Sequence, residues 1–155
     1  MLQPVTIVAF GKIKEKHYVE AIAEYLKRLK IYTKVDVVEL KAESFTEDNH
    51  AKIKNLEAER LRDFLSNRKS AIIYLLDERG QEYLSTELAE VWRKSDQPLV
   101  FVIGGSLGFS PEILSEFKNQ LALSRLTMPH ELVRVVLVEQ LYRAATIVSG
   151  KTYHY

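Results

Sequence analysis

The chain contains no cysteine and no long run of apolar residues. The first absence excludes disulfide bonds, a thiolate nucleophile and cysteine-ligated zinc, and it is typical of proteins from reducing compartments. The second excludes a membrane-spanning helix, which needs about 18 or more consecutive apolar residues. The first residues also lack the basic segment and apolar stretch of a secretory signal. We therefore expect a cytoplasmic protein with no membrane partner.

Strong net charge is also missing. The 22 basic and 21 acidic side chains leave a formal charge of +1. Proteins that bind nucleic acid through many phosphates are often strongly basic. Any contact with RNA must therefore come from a local patch, from two subunits together, or from an RNA of preformed shape. The length of 155 residues fits one domain, residues 1–155, with a full hydrophobic core.

Short apolar runs alternate with segments of helical periodicity. The runs at 5–10, 35–40, 71–76 and 99–103 indicate buried strands, and a fifth strand is expected within 121–128. Helices are expected between them, and the last one runs from about residue 131 to 148. Candidate N-caps are Asp48 or Asn49, Ser85 or Thr86, and Ser110 before Pro111. The alternation predicts an α/β sandwich with a mostly parallel sheet.

Three predicted strand ends are candidate ligand sites, because open α/β sheets bind ligands beyond the carboxyl ends of their strands. They are Leu76-Asp77, the loop Gly104-Gly105-Ser106-Leu107-Gly108, and the segment 123–128. The glycine loop lacks the Gly-Lys-Ser/Thr of a phosphate loop and the G-x-G-x-x-G spacing of a dinucleotide site. Taken alone, it is equally typical of a structural turn.

The last predicted helix is apolar in nearly every direction around its axis. A helix of this kind must be buried on all sides, which in a small domain favours the sheet on one face and a partner subunit on another. Glu139 and Arg143 are four residues apart and can pair with each other. Arg134 has no partner within the helix, so it is the better candidate for a substrate contact. His130, just before the helix, is either structural or able to transfer a proton.

The chain closes on Tyr153-His154-Tyr155. Terminal residues often fray, but aromatic and cationic side chains are also those that stack on and orient an unpaired RNA base. A second basic cluster follows the first strand and is either a solvated loop or the rim of an RNA site. Its members are Lys12, Lys14, Lys16 and His17.

Several motifs together resemble the RlmH family, small SPOUT-class methyltransferases that modify a pseudouridine of the large ribosomal subunit. The motifs are Phe101-Val102-Ile103-Gly104-Gly105, Leu126-Thr127-Met128-Pro129-His130, the run from Arg134 to Ala144, and Tyr153-His154. The resemblance extends over the whole chain. Leu107 and Tyr155 depart from the usual pattern, in which relatives often carry a polar and a charged residue there.

The resemblance implies more than periodicity can. It implies a SPOUT fold with a C-terminal trefoil knot, a homodimer, and methylation of N3 of a pseudouridine in 23S ribosomal RNA, with S-adenosylmethionine as the methyl donor. No metal is expected, because no acidic cluster converges on the proposed site. We expect the substrate to be the assembled ribosome, because the chain has no spare length for an RNA-binding domain. The implied cofactor residues are Leu76, Gly104, Leu123, Ser124, Arg125, Leu126, Thr127 and Met128. The candidates for catalysis are His130, Arg134, Tyr153 and His154.

Three other functions share part of this pattern. A SPOUT enzyme acting on transfer RNA would commonly carry an additional RNA-binding domain. A non-catalytic nucleotide-binding module of flavodoxin-like design would use the same strand ends without needing Pro129-His130 or the aromatic C-terminus. A structural protein of the ribosome would leave the modification of ribosomal RNA unchanged when deleted.

Overall fold

The computed structural model describes residues 1–155 and contains five strands and five helices in alternation. The strands are β1 (Val5–Phe10), β2 (Val35–Leu40), β3 (Ile72–Glu82), β4 (Leu99–Ile103) and β5 (Gln120–Ala122). The helices are α1 (Lys16–Leu29), α2 (His50–Leu65), α3 (Ser85–Lys94), α4 (Pro111–Glu116) and α5 (His130–Val148). No helix is both long enough and apolar enough to cross a membrane.

All five strands are parallel and form one sheet in the order β2-β1-β4-β3-β5. Successive residues of β4 point to opposite faces, so Phe101 joins one buried cluster while Val100 and Val102 join the other. The first cluster includes residues of α1, α3 and α5, and the second includes residues of α2 and α4. The predicted α/β sandwich with a parallel sheet is confirmed.

The end of β3 differs from the prediction. This strand continues past residue 76 to Glu82, because Gln81 and Glu82 pair with Leu121 and Ala122 of β5 after a register shift. Gly80 lies so close to the backbone of Gln120 that any Cβ there would overlap it. The passage of β5 along this extension is compatible with a threaded chain, and the trefoil knot stays a prediction.

The N-cap residues predicted for three helices can be compared with the observed helix starts. Ser110 caps α4 as predicted, since its hydroxyl accepts a hydrogen bond from the Ile113 N–H at 3.3 Å. The Ser85 or Thr86 cap is wrong: α3 begins after Leu84, and the Glu87 carboxylate accepts from the Leu84 N–H at 2.7 Å. Asn49 stands at the N-cap of α2, but its side chain accepts from the Thr46 N–H instead.

Helix α5 packs on the sheet between α1 and α3, and none of its residues is fully exposed. Leu137, Leu141 and Ala145 are completely buried. The opposite side of the helix is the stripe Leu132, Val136, Glu139 and Arg143, whose spacing of three and four residues gives one face. These side chains are half-buried, so one side of α5 remains accessible on a single chain.

Candidate active site

A cleft of about 380 Å³ opens at the carboxyl ends of β3, β4 and β5. Its size falls within the range of about 300 to 1,000 Å³ that is usual for small-molecule sites. Its walls are the ends of β3 and β4, the loop 104–109 and the loop 123–128. Seven of the eight predicted cofactor residues line it: Leu76, Gly104, Leu123, Ser124, Leu126, Thr127 and Met128.

The glycine loop forms one wall with its main chain. Gly108 adopts a positive φ of 75°, and its N–H donates to the Gly105 carbonyl at 2.9 Å, which closes a tight turn. Gly105 has no room for a side chain, because a Cβ would overlap the Glu57 carboxylate of α2. The loop is therefore shaped by backbone turns and supported from behind by a buried acid.

The opposite wall is the loop 123–128, which is bound to the extension of β3. Arg125 donates to the Glu82 carboxylate and to the Glu78 carbonyl, both at 2.8 Å. The Thr127 hydroxyl donates to the Glu78 carboxylate at 2.5 Å. Arg125 alone among the predicted cofactor residues does not line the cleft. Its side chain holds the loop in place, and Leu126 beside it remains 78% exposed.

Four residues that line the cleft carry charge: Lys54, Asp77, Glu78 and Arg79. Asp77 lies in β3 directly after the residues that pair with β4, and hydrogen bonds from Arg79 lower the pKa of its carboxyl group. Lys54 of α2 reaches the cleft half-buried and forms no ion pair. Asp77 was already recognisable as part of a strand end. Lys54 and Glu57 were missed, because a polar helix does not reveal which of its residues will face a loop distant in sequence.

His130 begins α5 beside the glycine loop, with its Nδ1 at 3.4 Å from the Ser106 hydroxyl. The next residue, Glu131, accepts from the Lys14 N–H at 2.7 Å. Burial favours a higher pKa for Glu131, but the N–H groups of Lys14 and Glu15 outweigh it and lower the pKa. This contact brings the basic loop of Lys12, Lys14 and Lys16 next to the start of α5.

Arg134 lies apart from the cleft. It is 3% exposed, and its guanidinium donates to the Glu39 carboxylate at 2.7 Å and to the Gly11 carbonyl at 3.0 Å. Its Nε has no hydrogen-bond partner. Arg134 indeed lacks a partner within its own helix, but β1 and β2 supply one. In the folded chain this side chain ties α5 to the ends of two strands.

In the C-terminal tail, residues 153–155, only Tyr153 packs against the C-terminal half of α5, and Tyr155 is fully exposed. The Tyr153 hydroxyl donates to the Glu139 carboxylate at 3.1 Å, and Arg143 lies over the Tyr153 ring at 4.9 Å. Burial raises the pKa of Tyr153, and hydrogen bonding with Tyr25 and Glu139 adds to the rise. Arg143 pairs with Glu139 as expected and also lies 3.3 Å from His154 Nδ1. His154 itself stays exposed.

The predicted catalytic residues fall into two groups at opposite ends of α5. His130 begins this helix, whereas Tyr153 and His154 follow its last turn. The tail turns back along the helix, so that Tyr153 contacts Glu139 and His154 contacts Arg143. A helix rises about 1.5 Å per residue, so these contacts lie roughly 14 and 20 Å from His130 along the axis of α5. A single chain therefore does not bring His130 and His154 to one site.

Comparison with known proteins agrees with this architecture. The family model described as "Predicted SPOUT methyltransferase" matches residues 4–154. A Pelotomaculum thermopropionicum protein named ribosomal RNA large subunit methyltransferase H is 42% identical, with 97% of this chain and 98% of the relative covered.

Two solved structures share the fold. A candidate RNA methyltransferase from Bacillus anthracis has a TM-score of 0.58 at 15% identity and covers 97% of this chain and 99% of its own. A candidate methyltransferase from Legionella pneumophila, solved with bound S-adenosylmethionine, has a TM-score of 0.56 at 14% identity and covers 92% of this chain and 66% of its own. Because the family model spans nearly all of the chain and a full-length relative shares two-fifths of its residues, this protein belongs to the RlmH family of SPOUT methyltransferases.

Proposed function

We propose that this protein transfers the methyl group of S-adenosylmethionine to N3 of a pseudouridine in large-subunit ribosomal RNA. The observation that carries the proposal is the cleft at the carboxyl ends of β3, β4 and β5, which gathers seven of the eight cofactor residues expected from the sequence. The curated relatives are named as methyltransferases of large-subunit ribosomal RNA, which supports the choice of substrate.

The residues of the cleft fit the methyl donor. Leu76, Leu123 and Met128 offer apolar surface for an adenine ring, and the exposed main chain at Gly104 offers hydrogen-bonding groups at close range. Asp77 and Lys54 add one charge of each sign, which suits a ligand with hydroxyl, amino and carboxylate groups. When bound there, S-adenosylmethionine supplies a methyl group on a sulfonium leaving group.

The remaining task of the protein is to align the base and to remove the proton of N3. Alignment of two reactants can account for much of the rate of an in-line displacement. His130 does not line the cleft itself but lies 3.4 Å from Ser106, which does, and it is our candidate for accepting the proton or polarising the base. Tyr153 and His154 are candidates for gripping the base. Arg134 would reach a substrate only if Glu39 and Gly11 released it.

The separation of the two groups along α5 supports a homodimeric enzyme. In a two-fold dimer whose axis is perpendicular to α5, the two copies of this helix run antiparallel, and each contact between different residues occurs twice. If Leu132 and Val136 pack against the same stripe of the partner, the tail of one subunit moves toward the cleft of the other. Each site would then combine the donor cleft of one protomer with Tyr153 and His154 of its partner.

The chain is short and nearly neutral, which favours a large preformed substrate over naked RNA. We therefore propose the assembled ribosome as the substrate and the cytoplasm as the location. The deciding experiment measures methyl transfer from labelled S-adenosylmethionine to intact ribosomes, isolated large subunits and protein-free ribosomal RNA. Mass spectrometry of the product should find one methyl group on a pseudouridine of 23S RNA. A methyl group on transfer RNA, or no donor binding at millimolar concentration by calorimetry, would refute the proposal.

A further inference from the structure

A concentration of positive charge lies at the C-terminal end of α1, outside the cleft. Residues 23–36 contain four basic and two acidic side chains, although the whole chain has a charge of only +1. The basic residues are all exposed and are called the α1-end patch: Lys27, Arg28, Lys30 and Lys34. The remainder of the protein is therefore slightly acidic, so the patch is a local feature and does not reflect a generally basic surface.

Internal ion pairs leave most of this charge available. Arg28 pairs with Glu24 at 2.9 Å and Lys34 with Asp36 at 3.2 Å, and all four side chains are at least 44% exposed. Lys27 and Lys30 form no ion pair. Exposed pairs are weak and exchange easily with a stronger anion. A phosphate group can therefore reach every cation of the patch.

The backbone beneath the patch is fixed. The buried hydroxyl of Thr33 donates to the Gln3 carbonyl at 3.0 Å, and its N–H donates to the Leu29 carbonyl at 3.1 Å. These bonds attach the turn after α1 to the residues just before β1. Lys30 and Lys34 flank that turn. Lys27, Lys30 and Lys34 also border a common surface depression of about 520 Å³. Because the backbone is already fixed, only the side chains of these cations must be ordered when the patch binds a ligand.

The patch is continuous with the C-terminal tail. The Arg28 guanidinium lies 5.7 Å from the centre of the Tyr142 ring, and the Tyr142 and Tyr153 rings are 4.7 Å apart. The basic loop of Lys12 and Lys14 lies at the other end of α1, next to the start of α5. A 14-residue helix spans about 20 Å, so the two basic surfaces are distinct.

We infer that the α1-end patch binds the sugar-phosphate backbone of the RNA substrate and brings that RNA to the adjoining tail. This inference rests on the proposed function, because the tail is there assigned to the target base. Phosphate contacts position a protein on its nucleic acid while other residues read the base. A spaced set of exposed cations beside aromatic side chains suits this division, whereas a lipid surface would need a broader exposed apolar face than Ile31 and Met1 provide.

The test is a triple neutralisation, Lys27→Gln, Lys30→Gln and Lys34→Gln, introduced into the full-length protein. The control variant carries Lys52→Gln, Lys69→Gln and Lys118→Gln, which remove the same charge from exposed, unpaired lysines elsewhere. Binding of large subunits or ribosomes is measured against salt concentration, together with KM, kcat and donor affinity. For the patch variant we expect KM to rise about tenfold. A plot of the logarithm of the RNA-binding constant against the logarithm of salt concentration should be less steep, its negative slope smaller in magnitude by about 2. Its donor affinity and saturated rate should equal those of the wild type.

The outcomes separate this inference from the proposed function. If the wild type neither binds the donor nor methylates ribosomal RNA, the proposed function fails. If the wild type methylates but the patch variant keeps its KM and salt slope, only the patch assignment fails. It also fails if the control variant loses as much affinity as the patch variant, or if the lysines are needed to bind anionic lipid vesicles and not RNA.

Discussion

The Glu57 carboxylate lies directly behind Gly105, in the space that a Cβ of residue 105 would occupy. Gly105→Ala should therefore push the glycine loop into the donor cleft or displace Glu57. Overpacking of this kind costs about 1 to 3 kcal/mol, so we expect the affinity for S-adenosylmethionine to fall about tenfold in calorimetry. Glu57→Ser in the same chain removes the obstructing atoms and should restore much of the affinity. An unchanged affinity of the single variant would contradict this account of the loop.

The same carboxyl group makes stability depend on pH. Burial raises the pKa of Glu57, although the Glu43 N–H and Arg60 oppose the rise. A raised pKa means that the folded protein prefers the protonated acid, so its contribution is complete below the ordinary value of 4.5 and is lost as the pH rises through the folded pKa. The glutamine of Glu57→Gln does not ionise. As the pH rises from 4 to 7, the free energy of unfolding of this variant should therefore increase relative to that of the wild type, by on the order of 1 kcal/mol. Urea unfolding of both proteins at pH 4 and at pH 7 measures this gain. The same difference in unfolding free energy between variant and wild type at both pH values would contradict it.

Arg134 has two possible roles, a structural ion pair with Glu39 and a contact with the substrate. Removing one partner of a buried ion pair leaves the other uncompensated and typically costs about 3 to 5 kcal/mol. Glu39 is 34% exposed, so for Arg134→Met we expect a loss near the lower limit of that range. A double-mutant cycle with Glu39→Gln should show coupling in chemical unfolding.

Catalysis distinguishes these roles. Arg134→Lys keeps the charge near Glu39, and a purely structural role predicts that single-turnover methylation falls only with the folded fraction. Loss of methylation in a fully folded Arg134→Lys protein would instead support the substrate contact suggested by the sequence. His154→Ala is the companion variant, since His154 is exposed and should affect the rate without affecting stability.

Much of the fold could be predicted, because buried strands and amphipathic helices have different periods. The alternation of these periods was sufficient to predict a parallel sheet covered by helices. The extension of β3 to Glu82 was not predictable, because residues 77–80 are charged or glycine and are typical of a turn. The chain continues as a strand there only because β5 pairs with it. The predicted start of α3 was wrong because the Glu87 carboxylate, and not a serine or threonine hydroxyl, accepts the hydrogen bond at the start of this helix.

The site was predictable to the extent that it consists of strand ends. Leu76 ends the predicted third strand and Gly104 follows the fourth, while residues 123–128 fall within the range predicted for the fifth strand, which the structure ends at Ala122. Parallel topology brings all three to one edge of the sheet. The contacts of Arg125 could not be predicted, because its partners, Glu78 and Glu82, lie on the unpredicted extension of β3. Lys54 and Glu57 depend on how α2 packs across the sheet, which no local pattern reveals.

The accessible stripe of α5 predicts the dimer interface. Leu132→Glu and Val136→Glu together would place like charges across a two-fold axis and bury them, so the dimer should dissociate at micromolar concentration. Sedimentation velocity measures the change in mass. The fold should remain intact, because Leu137 and Leu141 fill the opposite side of the helix. A variant that sediments like the wild type would place the interface elsewhere.

A mixed dimer tests whether two subunits share one site. Gly105→Ala impairs the donor cleft, and His154→Ala impairs the tail at the far end of α5. If each site combines the cleft of one protomer with the tail of its partner, a heterodimer of the two variants contains one intact site and one doubly impaired site. At a donor concentration well below the wild-type Kd, the Gly105→Ala homodimer should keep only about a tenth of the wild-type rate. Random assembly should then restore about one quarter of the wild-type rate. Differently tagged chains, co-expressed and purified in two affinity steps, would raise this to about one half. If cleft and tail acted within the same chain, every site would carry one lesion and no activity would return.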